Sequence, residues 1–477
     1  MLSIADSYFG LLLQIVSTMI IARVLTPKQV GVFAVAAVFS GLASMFRDFG
    51  VAEYLIQEKD LTRQKLAATL TLNIAASWSM AAALFVGAVF AARFYDSAGV
   101  ADVMRVQSIT FLLVPFGAVT MAYFRRELDY APVLICNVAG SIASFVTGIA
   151  LALLGFGYMS LAWASVTGVA VTVVGSLFAR PRHLPLWPGL ADIGTVFHYS
   201  KFASLVYIVG QLGKGAPEMI IGRVLTLVDV AMFSRANGLV ELVNRLLLRS
   251  VMQVCMPYFA KNDRDGRSAL DTYLKSVSYL TAVGWPLLGF LAVAAFPVIR
   301  IVYGDQWDAA VPLARILCAA FAVELLSVLS REMLLARGEA KQANALQIRQ
   351  QCLLVIGLLA AVPFGLAGAA WGVLVASGCA LVLGQTYLAR VIALRMRDLA
   401  QACLPSAILC VVSVGPAAAW LALRHVGEAN YISFGLVAAI VTASAWLTCI
   451  HLIGHPLGRD IFDLGRRLRG GSRMDVT

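Results

Sequence analysis

The chain has 477 residues, of which 60% are hydrophobic and only 13% are charged. Soluble domains carry about 25% charged residues, so this composition excludes a soluble enzyme, a disordered scaffold and a secreted disulfide-rich module, and it places many helices in lipid. The formal net charge is +11. Because the basic residues flank apolar runs and form no patch with interleaved aromatic residues, we expect no nucleic-acid partner.

Apolar runs long enough to cross a membrane, about 20 residues each, follow one another along the chain. Two runs without any charged residue, 130–179 and 350–389, are too long for one crossing. Each has a glycine-containing break near its middle, at Gly155 and Gly365, and therefore predicts a helical hairpin. The pattern predicts an all-α polytopic membrane protein of about fourteen transmembrane helices. The predicted spans are 6–25, 30–52, 66–93, 103–124, 132–154, 157–178, 198–222, 229–257, 273–300, 309–336, 345–364, 367–394, 402–424 and 431–453.

Lys and Arg are distributed unevenly over the predicted connections, which tests the topology because cytoplasmic loops are enriched in positive charge. If the N-terminus is cytoplasmic, the connections on that side carry 23 Lys and Arg residues, and those on the opposite side carry eight. The two hairpin turns fall on the poorer side and carry none. The N-terminus has no basic segment of the kind that opens a cleavable signal. We therefore expect an uncleaved first span and both termini in the cytoplasm.

An internal repeat is present at an offset of 200 residues. The segment 20–26 (IIARVLT) recurs at 220–226 (IIGRVLT), and apolar matches continue as far as residues 36 and 236. Six predicted spans separate the copies, so the repeated unit keeps its membrane orientation and is a parallel repeat. The predicted organisation is an N-terminal six-helix bundle at 1–182, a C-terminal six-helix bundle at 183–397, two further transmembrane helices at 398–455 and a basic cytoplasmic tail at 456–477.

Charged side chains within the predicted spans are the candidate functional residues, because such charges are costly in lipid and mark a pathway or an internal pair. The span 229–257 is the most informative, since at 100° per residue its polar side chains share about half of the helix circumference. That half should face water, substrate or another polar helix. Within it, Glu241 and Arg245 can pair at a spacing of four. The polar half comprises Ser234, Arg235, Asn237, Glu241, Asn244, Arg245, Arg249 and Gln253.

Three other groups of intramembrane charges have two interpretations. Lys214 and Glu218 share a stripe of the span 198–222, and Arg331 shares one with Glu324. Arg47 precedes Asp48 near the end of the second span. Each group can be a self-neutralising structural pair or can line a transport cavity. The full set of candidate substrate-binding residues is Arg235, Asn237, Glu241, Asn244, Arg245, Arg249, Lys214, Glu218, Arg47 and Arg331.

Several segments resemble landmarks of the bacterial polysaccharide flippases, the Wzx-type members of the multidrug/oligosaccharidyl-lipid/polysaccharide (MOP) exporter superfamily. They are Ala22–Phe33 (ARVLTPKQVGVF), Phe46–Gly50 (FRDFG), Glu58–Thr62 (EKDLT), Phe233–Ala236 (FSRA) and Gly304–Ala310 (GDQWDAA). The resemblance implies two six-helix bundles, a V-shaped cavity and alternating access in the bacterial inner membrane. Where many relatives carry an Asp, this chain has Glu218.

The expected function is therefore a secondary transporter, not an enzyme, for undecaprenyl-pyrophosphate-linked oligosaccharides used in exopolysaccharide, O-antigen or capsule synthesis. The lipid-linked glycan and the bilayer are the expected partners, and other polysaccharide assembly proteins are further candidates. No catalytic residue, metal or cofactor is expected, and coupling to H⁺ or Na⁺ stays open. The alternatives are a multidrug or organic-ion exporter of the same superfamily, which the cationic surplus disfavours, and a membrane glycosyltransferase or polymerase, which would need a long outward loop.

Overall fold

A computed structural model gives the architecture of most of the chain, and every regular element in the described ranges is a helix. Residues 2–8, 46, 249, 250 and 253 are described by their backbone alone. The structure describes residues 2–47, 55, 58, 62–182, 184–185, 187–189, 213, 215–423, 431–452 and 455–458.

Six long helices lie within the described part of the first 180 residues. The second begins at Pro27, whose fixed φ and missing N–H suit the first position of a helix. The third is capped by Thr62, whose hydroxyl accepts a hydrogen bond from the Lys65 backbone N–H. The six helices are α1 (Leu2–Val24), α2 (Pro27–Arg47), α3 (Arg63–Phe94), α4 (Ala98–Arg126), α5 (Tyr130–Leu153) and α6 (Tyr158–Phe178).

Among the described residues from 215 onward, a helical stretch at 215–224 is followed by nine helices and two short 3₁₀ helices. The 3₁₀ helices are Asp305–Ala310 and Val362–Phe364. The helices are α7 (Leu227–Arg264), α8 (Ala269–Val293), α9 (Ala295–Val302), α10 (Val311–Glu324), α11 (Ser330–Ala336), α12 (Ala340–Ala361), α13 (Gly365–Ile392), α14 (Met396–Leu423) and α15 (Tyr431–Leu452).

Ten stretches among the described residues are long and apolar enough to cross a membrane. One of them, Ala340–Ile392, is 53 residues long and contains both α12 and α13. The other nine correspond to α2–α6, α8, the Asp305–Glu324 stretch, α14 and α15. The protein is therefore an all-α multi-pass membrane protein, as the sequence predicts.

Both predicted hairpins are confirmed. The charge-free run 130–179 is divided between α5 and α6, and the connection contains Gly155 at φ +85° and Gly157 at φ +55°. The second run is divided before α13, which starts at Gly365 with φ +87°. These positive φ values lie in the left-handed region that glycine enters without steric cost, which is why the chain turns at these positions.

Two predicted spans are interrupted, so their prediction as single helices was wrong. The span 273–300 breaks after Val293, because Pro297 cannot donate the backbone hydrogen bond to the Val293 carbonyl and its ring crowds that group. The span 309–336 breaks between α10 and α11. There the Ser327 N–H bonds to the Glu324 carbonyl at 2.9 Å, and this i→i+3 pattern replaces the α-helical one.

The chain forms two compact units, Met1–Ser234 and Arg235–Thr477. In the first unit, α3 packs on α4 and α5 packs on α6. In the second, α8 packs on α14, α12 on α13, and α14 on α15. The division falls within α7, and the domain boundaries read from the sequence remain predictions.

The two copies of the repeat begin their second helix with the same hydrogen bonds. In the first copy the Thr26 N–H donates to Gln29 Oε1 at 3.0 Å, and the Gln29 N–H donates to Thr26 Oγ1 at 3.4 Å. In the second, the Thr226 N–H donates to Asp229 Oδ2 at 3.0 Å, and the Asp229 N–H donates to Thr226 Oγ1 at 3.2 Å. This reciprocal arrangement is a capping box, so the repeated sequence encodes a repeated local structure.

Candidate functional site

Helix α7 carries most of the candidate residues, and its buried side changes along its length. In its first half the buried residues include Leu239, Val240 and Val243, which lie opposite the polar half predicted from the sequence. Beyond Arg245 the pattern reverses: Leu246 is 49% exposed and Val254 is 62% exposed. The apolar half of α7 is therefore buried along the first part of the helix, whereas Leu246 and Val254 in the second part are exposed. An exposed apolar surface on a membrane helix suits contact with acyl chains.

Arg235 packs against two aromatic rings. Its guanidinium carbon lies 5.2 Å from the ring centre of Tyr303 and 5.1 Å from that of Trp307. Tyr303 is 4% exposed and Trp307 is fully buried, so this cation is held in a largely dry environment. Cation–π contacts are worth about 2 kcal/mol or more when desolvated. The aromatic rings thus stabilise a positive charge at the start of the polar half of α7.

Two features complete the surroundings of Arg235. Its Nε atom is buried and has no hydrogen-bond partner in the part of the chain that the structure describes. Burial raises the pKa of the Tyr303 phenol above its ordinary value, and the nearby Arg235 cation opposes that shift. Tyr303 therefore stays neutral at physiological pH and offers Arg235 the face of a ring, not a counter-charge.

Glu241, Asn244 and Arg245 form an accessible polar group on α7. Arg245 Nε lies 3.4 Å from Glu241 Oε1, and Asn244 Nδ2 donates to Glu241 Oε2 at 3.3 Å. The pairing of Glu241 with Arg245 predicted from their spacing is confirmed. The Arg245 side chain is 53% exposed and that of Glu241 is 41% exposed. Exposed ion pairs are worth about 0–1 kcal/mol, so an incoming anion can compete for Arg245.

Arg331 pairs with a different carboxylate from the one considered in the sequence. Its Nη1 atom lies 3.1 Å from Glu332 Oε1, and both residues belong to α11. The predicted stripe with Glu324 was wrong, because the helix is interrupted between residues 324 and 330. Arg331 Nε is buried without a hydrogen-bond partner among the described residues.

The remaining candidates are distributed between described and undescribed positions. Arg47 lies over the ring of Phe111 at 5.5 Å, and Glu218 has its Oε2 atom buried without a hydrogen-bond partner in the described ranges. Asn237 is partly buried on α7. Lys214 and Asp48 lie outside the described residues, as does the side chain of Arg249. The structural-pair interpretations of Lys214–Glu218 and Arg47–Asp48 therefore remain predictions.

In the second unit the structure brings together Arg235, Glu241, Asn244 and Arg245 along α7 and places two aromatic residues on the first of them. Sequence reasoning missed Tyr303 and Trp307 as partners of Arg235. A signal was available, because Trp307 lies inside the Gly304–Ala310 landmark. No cluster of three or more His, Cys, Asp or Glu side chains suited to a metal ion occurs within the described part of the chain. The site on α7 therefore combines positive charge with hydrogen-bonding and aromatic groups, which suits an anionic ligand that also carries hydroxyls.

Comparison with known proteins gives a consistent set of similarities. Residues 20–312 match the family described as "Polysaccharide biosynthesis protein". The chain is 27% identical to the succinoglycan biosynthesis transport protein ExoT of Rhizobium meliloti (strain 1021), over 65% of this chain and 62% of ExoT. It is 24% identical to the teichuronic acid biosynthesis protein TuaB of Bacillus subtilis (strain 168), over 81% of this chain and 80% of TuaB.

A further relative is the lipopolysaccharide biosynthesis protein WzxC of Escherichia coli (strain K12), 22% identical over 64% of this chain. The match spans 63% of the length of WzxC.

Among solved structures, the lipid II flippase MurJ in an inward closed conformation is similar with a TM-score of 0.75 and 12% identity, over 97% of this chain and 99% of MurJ. An inward-facing MATE family transporter of the MOP superfamily is similar with a TM-score of 0.65 and 14% identity, over 80% of this chain and 94% of that structure. At these identities the likeness shows the fold.

Proposed function

Because the chain belongs to the polysaccharide biosynthesis protein family, we propose that it is a flippase that moves undecaprenyl-pyrophosphate-linked oligosaccharides from the inner to the outer leaflet of the inner membrane. Exopolysaccharide, O-antigen or capsule synthesis would use these units. The fold shared with MurJ and the MATE transporter supports alternating access as the mechanism. ExoT, TuaB and WzxC are named for succinoglycan, teichuronic acid and lipopolysaccharide biosynthesis, which supports a glycan cargo.

The observation that carries the proposal is the accessible cationic side of α7. Arg245 is exposed beside Asn244, and Arg249 stands four residues further along the same helix. A pyrophosphate needs concentrated positive charge, and the guanidinium group matches phosphate oxygens with two parallel hydrogen bonds. The Asn244 amide can serve sugar hydroxyls. Arg235, partly buried against its aromatic rings, adds to the positive field.

The proposed topology has fourteen spans, both termini in the cytoplasm and two six-helix bundles followed by two additional helices. The 23-to-8 distribution of Lys and Arg supports it, as do the two capping boxes at an offset of 200 residues. Alkaline phosphatase fused after Gly155 or Gly365 should be active, and fusions after Asp265 or Arg397 should be inactive. An active fusion at Asp265 would contradict the proposed orientation of the first eight spans.

The test of function is export in cells that lack the gene. Deletion should leave lipid-linked glycan in the inner leaflet, and the wild-type gene should restore export. The double variant Arg245→Gln/Arg249→Gln should reach the membrane at normal abundance yet lower export by about tenfold for each arginine, since a hydrogen bond to a charged group contributes about 1.5–3 kcal/mol. Arg→Lys at both positions should restore part of the activity.

The matched control is Arg264→Gln, an exposed arginine in the last turn of the same helix. It removes one positive charge from α7 at a position away from the proposed binding group, so export should stay normal. Normal export by a stably expressed Arg245→Gln/Arg249→Gln protein would overturn the binding role. An organic-cation exporter is the weaker candidate, because the described intramembrane cations would repel its substrate.

A further inference from the structure

A groove in the first unit has no part in the site on α7. It has a cavity volume of about 810 Å³ and is bounded by α2, α3, the start of α4 and the helical residues 215–224. Most of its wall is apolar, and no acidic residue is among the described residues that form it. The apolar wall includes Phe39, Met80, Leu84, Phe90, Met104 and Met219.

Two arginines line the groove as well, each beside the end of its helix. Arg93 is the penultimate residue of α3, and Arg223 is the penultimate residue of the 215–224 helix. Both side chains are exposed. The Arg223 guanidinium carbon lies 5.0 Å from the ring centre of Phe94, which follows Arg93 directly. The groove therefore joins an apolar interior to a cationic end.

A hydrogen bond and an aromatic cluster hold this cationic end in place. The Tyr95 hydroxyl donates to the Met219 carbonyl oxygen at 3.3 Å, which ties the end of α3 to the 215–224 helix. The Tyr95 ring lies 5.0 Å from the ring of Phe94 and 6.1 Å from that of Phe39. These contacts fix the helix ends that carry the two arginines, so a ligand can bind both arginines without first ordering the helices.

We propose that this groove binds an anionic phospholipid of the surrounding bilayer, with its phosphate at Arg93 and Arg223 and one acyl chain along the apolar wall. Charge complementarity selects this occupant. Arginine binds phosphate oxygens through paired hydrogen bonds, and its planar guanidinium group suits phosphate recognition at a partly apolar site. A water-soluble anion would gain nothing from the apolar wall, and an organic cation would be repelled by both arginines.

The position of the arginines favours a lipid that already resides in the bilayer. Helix ends of membrane proteins lie near the interface, where long basic side chains place their charge. The phosphate of a bilayer lipid lies at the same depth, so it reaches both guanidinium groups while its acyl chain stays in the hydrocarbon region. A polyprenyl phosphate shares these chemical features, and the experiment separates the two sources.

The test measures lipid binding to the purified full-length protein by native mass spectrometry. The probes are phosphatidylglycerol, phosphatidylcholine with the same acyl chains, and undecaprenyl phosphate. Wild-type protein should retain phosphatidylglycerol in preference to phosphatidylcholine. Arg93→Gln and Arg223→Gln should each weaken phosphatidylglycerol binding about fivefold, the upper end of what one exposed ion pair contributes, and should leave phosphatidylcholine unchanged.

Two further variants separate the groove from general charge effects. Arg23→Gln removes the arginine that corresponds to Arg223 in the first copy of the repeat and does not line the groove; its binding should equal that of the wild type. Gly87→Leu should fill the groove, because Gly87 lines it and has open space around its Cβ position. This variant should weaken both phospholipids while the protein still elutes as a folded species.

Three results would overturn the proposal. The first is a loss of phosphatidylglycerol in Arg23→Gln as large as in Arg223→Gln. The second is unchanged binding in a folded Gly87→Leu protein. The third is that undecaprenyl phosphate binds in a manner that depends on Arg93 and Arg223 while phosphatidylglycerol does not bind. That result would assign the groove to the polyprenyl carrier.

Discussion

The two copies of the repeat share their helix caps but differ in the side chains they place nearby. Thr26 with Gln29 and Thr226 with Asp229 form the same reciprocal hydrogen bonds. The positions that follow are also equivalent in burial: Val30 is 5% exposed and Val230 is fully buried. The duplicated sequence has therefore kept its backbone structure. The difference between the copies lies in which residues were placed on that shared structure.

The most informative difference is at residues 35 and 235, which correspond at the offset of 200. Val35 is fully buried, and both Val35 and Tyr95 pack beside Gly222. At the equivalent position of the second copy, Arg235 lies over Tyr303 and Trp307. One copy thus has an apolar contact where the other has a cation on aromatic rings. A duplicated scaffold can acquire charge in one half alone, provided that aromatic surfaces replace the lost solvation.

The hairpins α5–α6 and α12–α13 show the opposite behaviour, because in both of them two helices cross closely at a glycine. A Cβ atom at Gly140 would lie 2.7 Å from the Gly168 carbonyl oxygen, and one at Gly372 would lie 2.6 Å from that of Gly357. Small residues let membrane helices approach closely. A close helix crossing at a glycine is therefore present in both hairpins.

The largest expected effect comes from Gly31, which has Ala231 as its counterpart in the second copy. A Cβ at Gly31 would lie 1.7 Å from the backbone carbonyl oxygen of Leu227, a contact that no side-chain motion can relieve. Overpacking costs about 1–3 kcal/mol and more where backbone must move. Gly31→Ala should therefore lower the abundance and the melting temperature of the detergent-purified protein severely.

The matched control is Gly41→Ala on the same helix, since Gly41 has open space around its Cβ position. This variant should melt like the wild type. If Gly31→Ala were as stable as Gly41→Ala, the prediction would be contradicted, because the first copy would then not require the close approach of Gly31 to Leu227.

The second prediction concerns Arg235, the residue at which the copies diverge most. Arg235→Gln should destabilise the protein by about 2 kcal/mol, since it removes a desolvated cation–π contact with two rings, and Arg235→Lys should retain part of that stability. Arg245→Gln, on the exposed side of the same helix, should leave the melting temperature unchanged. Both are measured by thermal unfolding in detergent.

The outcome separates structural from binding roles. If Arg235→Gln were as stable as Arg245→Gln and both abolished glycan export, Arg235 would act directly on substrate and the aromatic contact would be incidental. Loss of abundance in Arg235→Gln alone would support the division of roles proposed for α7.

The features that local chemistry determines could be predicted from the sequence. Gly155 and Gly365 interrupt long apolar runs, and their positive φ values explain why the chain turns there. The resemblance read from segments such as Ala22–Phe33 and Gly304–Ala310 is confirmed by the family match over residues 20–312. The pair Glu241–Arg245 follows from helix geometry alone and is present.

Features that depend on tertiary contacts could not be predicted in this way. The interruption between Glu324 and Ser330 contains no proline or glycine, so its apolar sequence looks continuous with the helices on both sides. The rings beside Arg235 lie about 70 residues further along the chain. Helical periodicity predicts which side chains share a face, but it does not predict what a distant segment places against that face.

The third prediction tests whether the two capping boxes are equally important. Thr26→Ala and Thr226→Ala should each cost about 1 kcal/mol, the usual effect of removing an N-cap hydroxyl. Thr226 should be the more sensitive, because its hydroxyl also donates to Asp229 Oδ2 at 2.7 Å. Thr→Ser at either site should restore most of the stability. A difference of more than about 1 kcal/mol between the effects of Thr26→Ala and Thr226→Ala would show that the two caps have diverged in spite of their shared geometry.

The smallest expected effect concerns the contact of α8 with the segment that follows α15. In α3 the buried Ser77 hydroxyl donates to Asn73 Oδ1 on the same helix at 3.1 Å. In α8, by contrast, Ser278 lies 3.3 Å from His455 Nε2, beyond the end of α15. His455 Nδ1 accepts a hydrogen bond from the Leu457 N–H at 3.1 Å, so the neutral ring carries its proton on Nε2. His455 thus joins the segment after α15 to α8 as a neutral ring, beside the direct hydrogen bond from Ser406 of α14 to the Ser278 carbonyl oxygen.

Burial lowers the pKa of His455 below its ordinary value of 6.5. The unfolded chain therefore takes up a proton at a higher pH than the folded chain does, so stability is full above about pH 6.5 and falls as the pH decreases towards the folded-state pKa. His455→Asn keeps an acceptor for the Leu457 N–H but cannot titrate.

Between pH 7.5 and 5.5 the melting temperature of the wild type should fall further than that of His455→Asn. His451→Asn, on an exposed histidine of α15, should retain the wild-type pH dependence. An equal loss in the wild type and His455→Asn would show that this attachment does not depend on the charge of His455.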